Sequence, residues 1–110
     1  MKTATSDTRI RIEISLDGVH KAEPITMTAG QWNGVSVALS EAARRMESMG
    51  CNAIAKPYKK AAHKISMVLA AKRYYGIEES KAMLNALKQT DPELFREGVC
   101  EELREIEETE

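Results

Sequence analysis

Aromatic side chains are scarce in this sequence: one Trp, one Phe and three Tyr among 110 residues. A core built from it must draw its volume from Ile, Leu, Val, Ala and six Met. The paired aromatic platform of an RNA-recognition sheet has no counterpart, and neither does a GXXG clamp. Cysteine is limited to Cys51 and Cys100, in neither zinc-like nor redox-like spacing. With no apolar run in "MKTATSDTRIRIEISL" to act as a signal-peptide core, the two read as reduced thiols in a cytoplasmic protein. No window approaches the ~20 apolar residues of a membrane span. The loops "SLDGVHK" and "TMTAGQWNG" lack the P-loop pattern. Charge leans neither way, with 17 acidic against 16 basic side chains and a net of -1.

What is present fits a folded chain: 43% hydrophobic and 30% charged. At 110 residues the expectation is one domain with one modest core, leaning on a partner chain for part of its burial. Residues 1–8 are small and polar and are expected to be frayed. In "RIRIEISLDG", Ile10, Ile12, Ile14 and Leu16 share one face, and Arg9, Arg11, Glu13 and Ser15 share the other. Such period-two alternation predicts a strand with one buried and one wet face. Asp17-Gly18 signals a turn, and "VHKAEPITM" returns as a second strand in which Pro24 suits an edge or a bulge.

Thr28 and Gln31 form a capping box that opens a helix to about Ser48. Trp32, Val35, Leu39, Ala42, Met46 and Met49 recur along it at spacings of three and four. Gly50 ends it. A second helix opens around Ala55, with Pro57 in its first turn, and a third spans roughly Ile77 to Lys88. Thr90, Pro92 and Glu93 then start a fourth, with Phe95, Val99, Leu103 and Ile106 as its apolar stripe. The expected fold is α+β: an N-terminal β-hairpin (9–27) packed on a small four-helix assembly (28–107), in the order ββαααα within a single domain, 1–110.

The second helix carries the most pointed surface. Lys56, Lys59, Lys60, His63 and Lys64 fall within an arc of about 140° on a helical wheel. Amphipathicity alone accounts for that arc, yet cations in a first turn oppose the helix dipole. Residues 91–110 hold nine acidic and two basic side chains, and residues 44–73 hold eight basic side chains against Glu47 alone. The lysine face can therefore answer the acidic segment, in the same chain or in another, or an external polyanion. Farther along, the helix is apolar nearly all round from Ile65 to Ala71. Either it is central to the bundle, or a second side bearing Met67, Ala70 and Tyr74 meets another subunit.

Candidate chemistry is thin. His20 and His63 have no His, Cys or carboxylate cluster at ligand spacing, so neither metal nor cofactor is expected. His63 among lysines fits a general base and equally any surface histidine of a basic patch. Cys51, near a helix start, is a candidate nucleophile without an identifiable base. The expectation is a non-enzymatic protein-interaction module, an accessory subunit or inhibitor acting as a homo-oligomer, most simply a dimer, with an unidentified protein partner. Met67, Ala70 and Tyr74 would supply its interface. The alternative is a nucleic-acid-associated protein that holds the phosphate backbone through Lys56, Lys59, Lys60, His63 and Lys64.

Overall fold

A computed structural model describes residues 3–17, 21–90 and 92–94. Two antiparallel strands, β1 (Arg9–Ile14) and β2 (Glu23–Thr28), lead into three helices, α1 (Ala29–Ser48), α2 (Asn52–Ala71) and α3 (Ile77–Thr90). A three-residue helical turn, α4 (Pro92–Leu94), follows. The α+β class holds, with three helices of at least 14 residues rather than four among the described residues. Thr90 belongs to α3, and its hydroxyl donates to the Ala86 carbonyl (2.8 Å) one turn back. Phe95, Val99, Leu103, Ile106, Cys100 and His20 lie outside the described residues.

The alternation of β1 becomes two faces. Ile10 and Ile12 are each 3% exposed, while Arg9, Arg11 and Glu13 face water. Leu16 departs from the expectation: the strand ends at Ile14, and Leu16 lies beyond it, 43% exposed. The register pairs Ile10 with Met27, Ile12 with Ile25 and Glu13 with Pro24. The Ala29 amide donates to the Thr8 carbonyl at 2.8 Å. Antiparallel ladders alternate bonded and non-bonded pairs, and counting in twos from that bond makes Glu13–Pro24 a non-bonded pair. The proline therefore costs the ladder nothing.

Residues 4–8, within a stretch expected to fray, make backbone bonds to two helix ends. The first amides of a helix have no partner within it. In α1 the Ala29 amide uses the Thr8 carbonyl, Gly30 uses Ser6 (3.1 Å), and Gln31 uses the Thr28 hydroxyl (3.2 Å). The Ala4 amide in turn donates to the Lys72 carbonyl (2.9 Å) at the end of α2, and Ala4 is 6% exposed. Residues 4–8 thus satisfy orphan groups at two helix ends. Gly30 eases the approach, since a Cβ there would stand a tight 3.3 Å from Ser6.

The seam of α1 runs through Ala29, Trp32, Ser36, Leu39 and Ala43. Trp32 and Leu39 were expected; Val35, Ala42 and Met46 are only half-buried, and Met49 is 71% exposed. Small residues are buried on both helices, Ala29, Ser36 and Ala43 on α1 and Ala55, Ala61 and Ala62 on α2. Gly50, with φ of +82°, turns the chain into α2. That helix begins at Asn52, earlier than expected, which places Pro57 in its second turn. Its missing amide removes the usual donor to the carbonyl of the exposed Ala53.

α2 sits between two clusters. On one side Ile65, Val68 and Leu69 pack with Ile10, Ile12, Trp32 and Leu39. On the other, Met67 and Ala70 pack with Leu84, Met83 and Leu87 of α3. The Trp32 indole donates to the Ile10 carbonyl (2.8 Å), tying α1 to β1 inside the core.

Candidate nucleic-acid interface

Helix geometry puts Lys56, Lys60 and Lys64 in one row, each step advancing about 6 Å along the axis. Lys59 and His63 flank the row. Lys56, Lys59 and Lys60 are exposed, and His63 and Lys64 are half-buried. No acidic residue occurs anywhere in the 20 residues of α2. From α1, the Glu47 carboxylate sits 3.4 Å from the Lys59 ammonium. Helix geometry thus sets the five basic positions on one side of α2.

At its far end this row meets the ribbon. The Lys64 ammonium donates to the backbone carbonyl of Glu13, which faces away from β2 in the non-bonded pair. On the outer side of the same strand, Arg9 and Arg11 are exposed. Sequence reasoning placed these arginines in water but did not join them to the lysines. The bond that brings the two groups together spans 51 positions of sequence, and no local pattern announces it.

The other candidate residues, Met67, Ala70 and Tyr74, pack within the chain. Met67 and Ala70 have 0% exposure within the single chain and pack against α3. Tyr74 is half-buried against the main cluster, its ring set edge-on to Tyr75 at 5.2 Å. The apolar girth of α2 is thus used twice inside one chain, by the sheet and α1 on one side and by α3 on the other. Met67 and Ala70 offer no surface to a second subunit.

Remaining polar features are structural in character. The Tyr75 hydroxyl bonds Asn33 (3.2 Å) across to α1. Burial pushes the Tyr75 phenol above its ordinary value, against a lowering hydrogen bond from Ser66 and with a small raising contribution from Tyr74. Ser80, 2% exposed, has a hydroxyl with no protein hydrogen-bond partner. Cys51 caps α2 in position only, making no side-chain bond to the helix amides. No group of three or more His, Cys, Asp or Glu able to hold a metal occurs among the described residues. An open depression of about 360 Å³ on α1 is lined by Glu41, Arg44, Arg45 and Ser48, mixing both signs of charge. Among the described residues, no helix is long and apolar enough to cross a membrane.

Comparison with protein-family models, with curated proteins and with solved structures found no match.

Proposed function

We propose that this protein binds nucleic acid without catalysis, holding the phosphate backbone on the basic face of α2. The observation that carries the reading is the acid-free α2 with Lys56, Lys59 and Lys60 exposed along it. The charge distribution supports it. The net of -1 divides into +6 over residues 1–90, with 14 basic and eight acidic side chains, and -7 over 91–110. The elements β1 through α3 are thus basic, although the whole chain is not. Phosphate neutralisation dominates such binding and makes it salt-dependent. The cytoplasm suits both this partner and two cysteines in no disulfide-like or metal-like spacing.

The test is fluorescence anisotropy with a mixed-sequence DNA duplex across a salt series. Wild type should bind at low salt, and Lys56→Gln and Lys60→Gln should each weaken it and reduce the slope of log K against log salt by about 0.9. No binding at low salt, or an unchanged slope in both variants, would reject the reading.

The protein-interaction reading keeps one specific observation in its favour. Ile25 lies on the inner face of the sheet yet is 41% exposed, and Leu16 is 43% exposed. These side chains, beside strand edges on which no further strand pairs among the described residues, offer a place for a second copy or another chain to add a strand. Such a module would act as an accessory subunit or inhibitor. Sedimentation over a concentration series separates the two readings by whether wild type self-associates.

A further inference from the structure

The geometry points to the outer face of the β1–β2 ribbon as a reader of the major groove of duplex DNA, with Arg9 and Arg11 contacting base edges. This rests on the backbone-binding reading and adds sequence preference to it. The two faces of β1 are divided. Ile10 and Ile12 are committed to the core, and the paired positions Arg9–Thr28, Arg11–Thr26 and Glu13–Pro24 form the opposite side. Arg9, Arg11, Glu13, Pro24 and Thr26 are all exposed. The Thr28 hydroxyl is engaged in capping α1, which leaves the two arginines, Thr26 and Glu13 as the polar groups of this face.

A two-stranded ribbon fits the major groove, which is about 12 Å wide, because its strands lie only about 5 Å apart. Alternate residues of a strand stand about 6.8 Å apart, which matches two base-pair steps of about 3.4 Å. Arg9 and Arg11 are therefore spaced to address base pairs two steps apart. Their planar forks suit the O6 and N7 acceptors of guanine. β1 is also held in place: the Trp32 indole bonds the Ile10 carbonyl and the Lys64 ammonium bonds the Glu13 carbonyl. Both anchors use backbone oxygens, so the outward side chains remain available for contact. From the edge of β1, the Lys64–Lys60–Lys56 row leads away along α2, where it can follow flanking phosphates. Glu13, on the same face, repels phosphate and accepts a hydrogen bond only from a base donor such as cytosine N4. The occupant is B-form DNA rather than duplex RNA, whose major groove is too deep and narrow for side chains to read.

The experiment uses the full chain and a randomised DNA duplex pool, with repeated selection and then anisotropy on the selected sequence, a scrambled one and the same sequence as duplex RNA. The expected result is enrichment of guanines two base pairs apart. Arg9→Lys and Arg11→Lys keep the charge and lose the fork. Each should lower the preference for the selected over the scrambled duplex by about tenfold, while affinity for the unselected pool stays within about threefold. Circular dichroism of both variants confirms that they fold. Lysine-dependent binding of the pool with no enriched sequence overturns the groove assignment and leaves the backbone reading standing. Preference retained in both arginine variants, or equal binding of the RNA duplex, also overturns it. A pool that is not bound at all by wild type removes both.

Discussion

Ile65 and Lys60 stand five positions apart on one helix and do opposite work. Ile65 and Leu69 have no exposed surface and join the cluster of Trp32, Ile10 and Ile12, whereas Lys60 is exposed. Truncating Ile65 or Leu69 to Ala removes buried methylenes and leaves a cavity, at an expected cost of about 2–5 kcal/mol. Lys60→Ala should fall within about 0.5 kcal/mol of wild type. Urea unfolding of the three variants measures this, and equal losses at both kinds of site would reject the assigned faces. At this scale the sequence was readable wherever a side chain's chemistry decided its place. Ile10 and Ile12 went inside, Arg9 and Arg11 outside, and the five basic positions of α2 to one side. For Met67 and Ala70 the sequence left two accounts open, because a wheel gives a direction but not what lies there. Their side of α2 meets α3 rather than a second chain.

Elements were legible where a cap or a periodicity marked them, and illegible where backbone alone made the contact. The Thr28–Gln31 box was visible as two residue types at fixed spacing, and both of its bonds form: the Gln31 amide donates to the Thr28 hydroxyl, and the Thr28 amide donates to Gln31 Oε1 at 3.0 Å. The docking of Ala4, Ser6 and Thr8 left no such mark, because it joins main-chain groups that every residue carries. The wider seam of α1 was missed in part: Ser36 and Ala43 are buried there, although neither stood in the stripe read from the spacing. Thr28→Ala should cost about 1 kcal/mol, since the Gln31 amide loses its acceptor. The amides of Ala29 and Gly30 keep theirs on Thr8 and Ser6, so the damage should remain local and helical content should persist. Thr28→Ser retains the hydroxyl and should recover most of the loss in chemical denaturation. Equal destabilisation by Ala and Ser would show that the methyl group, rather than the cap, is what matters.

Over the whole molecule, a near-zero net charge conceals a separation of sign along the chain. The +6 of residues 1–90 and the -7 of 91–110 almost cancel in the total, which is why overall composition argued against a polyanion partner while α2 argued for one. A phosphate backbone approaching the lysine row experiences both contributions, attenuated over a Debye length of about 10 Å at 0.1 M salt. The glutamates of 91–110 should therefore slow association with duplex DNA. Replacing Glu101, Glu102 and Glu105 together with Gln raises the net charge from -1 to +2. The expected outcome is faster association and tighter low-salt binding to a mixed-sequence duplex, with dissociation changed less, because long-range charge acts on encounter more than on the final contacts. The advantage should shrink as salt rises and vanish towards about 1 M, where the Debye length is about 3 Å. Stopped-flow association rates over a salt series measure it. Rates that do not respond to neutralising the three glutamates at low salt would mean that the acidic segment exerts no field on the lysine face. The chain's near-neutral total would then have no bearing on its affinity for phosphate.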